Sequence, residues 1–218
     1  MRLYLDTADR AAAEPLLATG LFAGVTTNPS ILRAASLGVT DIAEVYRWAV
    51  AAGAREVFFQ AWGEDTAVLV ERGLRLRELG SEVVVKVVAS RAGAAACATL
   101  SAQGVPTLLT AVYSPAQAVV AAAAGATYIA PYLGKLADAG RDGLSAVVSM
   151  QELLTASGSA TRVLLASIRD LSSVVALARH GVTHFTMKPA LAEEFFTDEL
   201  TAQAVRDFEE AVATVGVS

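Results

Sequence analysis

Residues 83–88 read Val83-Val84-Val85-Lys86-Val87-Val88, one polar side chain among five valines. A strand with one face in water alternates apolar and polar residues. This one does not, so both its faces are covered, as in a parallel sheet flanked by helices. Val163-Leu164-Leu165 has the same character. Working outward, short β-rich runs recur at Arg2–Asp6, Gly24–Thr27, Glu56–Ala61, Glu82–Val88, Pro106–Ala111, Thr127–Pro131, Arg162–Ser167 and His184–Met187. Their starts lie about 20 to 35 residues apart, room for one helix and two loops each. Helices fit Glu64–Leu79, Ser90–Gln103, Ser114–Ala124 and Asp170–Arg179, the last opening on a capping aspartate. Eight strands alternating with helices predict an α/β chain, residues 1–218 forming a single (β/α)8 TIM barrel. The rival is an open doubly wound sheet. A dinucleotide binder of that kind needs a glycine-rich turn after its first strand. Here that turn reads Asp6-Thr7-Ala8-Asp9-Arg10.

One further helix fits Asp198–Val215. Leu200, Ala204, Phe208, Val212 and Val215 form one apolar stripe, with Thr197 as the expected N-cap. A barrel already has its helix layer. The stripe therefore packs either on its own barrel or on a neighbouring subunit.

Composition narrows the function classes. The chain has 218 residues, is 54% hydrophobic and has a mean hydropathy of +0.48, which excludes disorder. Seventeen Lys+Arg against 22 Asp+Glu give a net charge of −5 and no basic footprint for nucleic acid. Residues 92–134 carry no charge, yet Gly104-Val105-Pro106 and Ser114-Pro115 break the run, so no membrane span is expected. Asp6, Asp9 and Arg10 interrupt the N-terminal segment before a signal-peptide apolar region can form. The lone Cys97, in an alanine-rich run, reads as a small buried residue. It excludes an internal disulfide and fits a reducing cytoplasmic setting.

The chain has three lysines: Lys86, Lys135 and Lys188. Lys86 lies inside the most apolar strand, where an ammonium loses hydration and its pKa falls. It is either a Schiff-base nucleophile, which needs a neutral amine, or a structural lysine paired with an interior carboxylate. Polar residues close the strands around it: Asp6, Thr26-Thr27-Asn28, Gln60, Thr110, Tyr132 and Ser167. In a barrel those C-terminal strand ends form the mouth of the active site. Ser167, Arg169 and Lys135, with Lys188 after the last strand, suit an anionic head group. His180 and His184 lie near the last strand, away from any Cys/His/acid cluster, and read as surface or packing residues. No metal constellation and no glycine-rich phosphate loop is present in the sequence.

Leu5-Asp6-Thr7, Gly24-Val25-Thr26-Thr27-Asn28-Pro29-Ser30, Val84-Val85-Lys86-Val87, Thr110-Ala111-Val112-Tyr113-Ser114, Ala130-Pro131-Tyr132 and Ala166-Ser167-Ile168-Arg169 resemble the small transaldolase family, which includes fructose-6-phosphate aldolases. The resemblance runs through essentially the whole chain in order. It implies a class I aldol mechanism on a (β/α)8 barrel, acting on a sugar phosphate with no metal or organic cofactor. By that resemblance Lys86 is the Schiff-base lysine. Asp6 and Asn28 hold hydroxyls of a dihydroxyacetone unit and assist proton transfer, and Thr27, beside Asn28, is a further substrate-binding residue. Thr110 positions the catalytic water, and Ser167 and Arg169 bind phosphate. Gln60 and Tyr132 match the aldolase branch, where transaldolases place Glu and Phe. Two positions depart from the family. Val88 replaces a proline, which can alter the strand's exit toward Ser90. Lys135 replaces an arginine, keeping the charge but losing the bidentate fork. The head group is then a weakly held phosphate or another anion such as a sulfonate. The relatives implied are ring-like homo-oligomers, pentamers or decamers, whose final helix reaches a neighbour.

Overall fold

The computed structural model describes residues 1–215. Its eight strands are β1 (Arg2–Asp6), β2 (Phe22–Thr26), β3 (Glu56–Gln60), β4 (Val83–Val88), β5 (Thr107–Val112), β6 (Tyr128–Pro131), β7 (Arg162–Leu165) and β8 (His184–Met187). All pair in parallel, in chain order, and β8 closes on β1. The helices are α1 (Arg10–Ala18), α2 (Pro29–Ala34), α3 (Ile42–Ala51), α4 (Thr66–Arg77), α5 (Arg91–Ala102), α6 (Ala116–Ala123), α7 (Leu133–Asp138), α8 (Gly143–Ala156), α9 (Leu171–Arg179), α10 (Pro189–Glu193) and α11 (Glu199–Val215). The protein is a (β/α)8 TIM barrel with an additional C-terminal helix.

Closure explains why the strands are apolar on both faces. Val57, Phe59, Val85, Val87 and Leu109 face the helix layer. Tyr4, Phe58, Val84, Leu108, Tyr128 and Leu164 fill the interior. Strands β2 and β3 meet closely at Gly24, where a Cβ would stand 1.8 Å from the Glu56 carbonyl oxygen. Several helices start on a side chain that accepts from an orphan amide: Asp9, Asp65, Ser90, Asp142 and Asp170.

Strand β7 ends two residues short of the sequence expectation. Ser167 has φ +58°, a left-handed conformation that leaves the ladder. Ala111, φ +57°, puts a matching irregularity into β5, whose register with β6 shifts between Leu109 and Val112. Both residues lie at the C-terminal mouth.

The final helix starts on Asp198, not Thr197. Asp198 accepts from the Thr201 amide at 2.9 Å, while the Thr197 hydroxyl turns back to the Glu194 carbonyl. Its stripe does not pack on its own barrel: Leu200 is 81% exposed and Phe208 70%. No helix among the described residues is long and apolar enough to cross a membrane.

Candidate active site

Register decides which strand-end residues share the interior. On β4, Val84 points inward, so Lys86 two residues on does too. Gln60 of β3 pairs with Lys86 and is half-buried beside it. On β5, Leu108 and then Thr110 follow the same face. A cavity of about 660 Å3 opens above this layer. Asp6, Asn28, Lys86, Tyr132, Ser167 and Arg169 are among the side chains that line it.

Lys86 is 4% exposed, and its Nζ donates to the Thr27 carbonyl at 2.7 Å. Burial pulls its pKa down to about 8, against the opposing effect of the Asp6 charge. The free amine is therefore about half of the population at pH 8 and about a tenth at pH 7. Asp6 keeps some surface on the cavity, yet the barrel wall encloses it. Burial raises its pKa, while Lys86 and a hydrogen bond from Thr26 hold it back. That bond, 2.6 Å, takes the Thr26 proton, so Thr186, 2.6 Å from Thr26, donates in turn. The Thr186→Thr26→Asp6 chain leaves the second Asp6 oxygen for the cavity.

Tyr132 lies 2.9 Å from Thr110 through their hydroxyls, and Tyr113 packs edge-on against its ring at 6.0 Å. Burial raises the Tyr132 pKa, with Thr110 opposing and the Asp6 charge adding to the rise. The phenol is kept protonated next to an amine that readily loses its proton. Asn28 uses Oδ1 to cap α2, accepting from the Ser30 and Ile31 amides. Its NH2 is the part that remains for a ligand.

Thr27 differs from the expectation of a substrate contact. It is fully buried, its hydroxyl donates to the Phe58 carbonyl, and its own carbonyl receives Lys86. Its contribution is to hold the lysine. Thr110 likewise does not line the cavity wall and reaches it through Tyr132. The exit of β4 stays regular without a proline. Val88 pairs with Thr110, the Ala89 amide continues to the Thr110 carbonyl, and Ser90 caps α5.

The cationic end lies between β6 and β7. The Ser167 carbonyl accepts from the Gly134 amide at 2.9 Å. A Cβ on Gly134 would stand 2.8 Å from Arg169 Nε and 2.9 Å from Ser167 Oγ, so only glycine lets these side chains lie against α7. Gly134 and Thr186 carry no local motif of their own, and sequence reasoning missed them; Thr26 was read as a strand-end polar residue, without its bond to Asp6. A second recess of about 770 Å3 shares Asp6, Ile31, Ala34, Lys188 and Ala190 with the first, but Lys86 and Tyr132 do not line it. The buried amine opens into the first cavity alone of these two.

Fold and site define a parallel eight-stranded barrel with a buried-lysine pocket at its C-terminal mouth. Residues 3–217 match the family Transaldolase/Fructose-6-phosphate aldolase, and the chain belongs to that family. Among similar proteins, the "probable transaldolase" of Coprothermobacter proteolyticus is 32% identical over 95% of this chain and 94% of its own length. The "probable transaldolase" of Rhodospirillum centenum is 35% identical, over 95% and 89%. Solved structures share the fold alone. A mandelate oxidase with 3,3-difluoro-2-hydroxy-3-phenylpropionic acid has a TM-score of 0.60 at 16% identity, covering 86% of this chain and 64% of the other. A flavocytochrome B2 mutant has a TM-score of 0.58 at 12% identity, covering 86% and 56%. The chain spans less than two thirds of the length of those solved chains.

Proposed function

We propose that the protein is a class I aldolase that cleaves or forms fructose 6-phosphate through a Schiff base on Lys86. The observation that carries this reading is the buried Lys86 amine, which lines one cavity together with the Asp6 carboxylate and with Tyr132, itself bonded to Thr110. A buried amine has desolvation cost without benefit in a pure binding site. Here the same desolvation frees its lone pair.

Lys86 Nζ attacks the ketone carbon, and the carbinolamine loses water to an iminium. Asp6 takes the proton of the C4 hydroxyl as the C3–C4 bond breaks. The bond's electrons enter the C2–C3 enamine, and glyceraldehyde 3-phosphate leaves. Tyr132, with a water held near Gln60 and Thr110, returns a proton to C3. Hydrolysis of the new iminium frees dihydroxyacetone and restores the amine. Asn28 holds the hydroxyls of the three-carbon unit, and Ser167, Arg169 and Lys135 hold the head group.

A second reading has its own support in the names of the relatives. A transaldolase keeps the three-carbon unit bound until an acceptor aldehyde takes it. The tyrosine at 132 favours release, because a phenol can supply the enamine's proton. Glyceraldehyde 3-phosphate formation from fructose 6-phosphate, with no acceptor present, separates the two. Sustained formation supports the aldolase, and a single turnover that stops supports the transaldolase.

The same reading extends to assembly. The exposed stripe of α11 fits the surface of a second copy of the chain, giving a homo-oligomer. Phe208→Glu should lower the mass in analytical ultracentrifugation. An unchanged mass removes α11 from the interface.

A further inference from the structure

The head-group end of the cavity carries an acidic residue that the reaction does not use. Asp138, at the end of α7, receives Arg169 Nη2 on both carboxylate oxygens, each at 2.7 Å. Lys135 Nζ stands 3.9 Å from the same carboxylate. Lys135 and Arg169 line the cavity, whereas Asp138 stands behind them. The gap over Gly134 lets the arginine lie across α7 to reach it. The hydrogen bond from Arg169 holds the Asp138 pKa below the usual carboxylate range, so the group stays ionised. After β8, Lys188 and Glu194 add one charge of each sign to the lining. The two cations that meet the ligand thus share one anion.

We propose that Asp138 sets the charge of the head-group subsite: by taking up one of its two cations, it narrows the subsite's preference for a doubly charged anion over a singly charged one. The inference rests on the reading of Ser167, Arg169 and Lys135 as that subsite. Asp138 is a positioning residue that acts through Arg169. Its influence on the ligand is electrostatic repulsion, which grows with each negative charge the head group brings. All three side chains keep contact with water, so the ion pairs are weak enough for a ligand to compete for Arg169.

The test uses two probes of one shape on the purified full chain at pH 8 and low ionic strength. Glycerol 3-phosphate is doubly charged there, since its second pKa is about 6. 2,3-Dihydroxypropane-1-sulfonate is singly charged. Dissociation constants are measured by calorimetry for the native chain and for Asp138→Asn, whose amide oxygen can still accept from Arg169. The substitution should move the affinity ratio toward the phosphate by about three- to tenfold. A ratio that the substitution leaves unmoved, or moves toward the sulfonate, overturns the proposal. A merely structural role of Asp138 lowers both affinities together and gives that unmoved ratio. If both probes bind the native chain and the ratio does not move, the anion subsite stands and only the role of Asp138 falls. If neither probe binds, the subsite reading falls with it.

Discussion

Each end of this barrel holds a carboxylate among aromatic and basic side chains, and the two ends behave differently. At the N-terminal end Glu56 accepts from Tyr4 at 2.5 Å, from Tyr128 at 2.7 Å and from Arg2 at 3.2 Å. His184 lies against both tyrosine rings, 6.3 and 5.5 Å between centroids. Burial and the bond to Glu56 push the Tyr128 pKa up to about 12. None of these side chains lines either cavity. At the C-terminal end Asp6 accepts from one threonine, and Lys86 and Tyr132 face open space. The chemical groups are similar. What separates the two ends is whether their hydrogen-bonding capacity is used up inside the protein. The lower end spends it on the fold, and the upper end keeps it for a ligand.

Breaking each end in turn should sharpen that contrast. The largest effect is expected from Lys86→Met. Turnover should fall below detection while thermal stability stays level or rises, because a buried amine has been removed. Retained turnover would refute the role of the lysine. Glu56→Ala should do the reverse. It leaves two buried phenols without their acceptor and should cost about 2–4 kcal/mol in denaturant unfolding. The folded fraction should keep its turnover number, and a large loss of that number would join the lower end to the chemistry.

Tyr132→Phe should slow free dihydroxyacetone release by about 10²-fold, in the range for loss of one acid–base group. Transfer to an added aldehyde should suffer less. Equal losses count against the division of labour between this hydroxyl and the lysine.

Two pH experiments give smaller effects of defined sign. At the mouth, the rate of borohydride-trapped adduct formation should rise with pH to a midpoint near 8, the value to which burial brings Lys86. Asp6→Asn should move that midpoint lower, since the Asp6 charge favours the protonated amine. A midpoint that stays put or rises contradicts the pairing. At the lower end, burial lowers the His184 pKa from 6.5 to about 4. The folded state then binds fewer protons than the unfolded chain between those values. Stability is intact above about pH 6.5 and falls as pH drops toward 4, by up to ~3 kcal/mol from this residue. His184→Gln should flatten that slope, as followed by denaturant midpoints. An unchanged slope assigns the loss to other groups.

The sequence carried the strands well because closure of the barrel makes each an unbroken apolar run, as at Val83–Val88. Their ends were less legible. Where β7 stops depends on the left-handed Ser167, which no run of residues announces. Short helices such as α2 and α7 went unread, because each is started by residues of the site itself, Asn28 and Tyr132. Lys86 stood out by being polar where nothing else is. Asp138 and Gly134 did not, since their roles exist only once β7 brings Arg169 across α7. The lower-end cluster was invisible for the same reason. Arg2, Tyr4, Glu56, Tyr128 and His184 come from four different strands and meet only when the barrel closes.

The central claim is that the upper end keeps Lys86 for a covalent bond. Its most direct test is peptide mass mapping of the protein after incubation with fructose 6-phosphate and borohydride. The account predicts one three-carbon adduct per chain, on Lys86. No adduct, or an adduct on Lys135 or Lys188 instead, would contradict it.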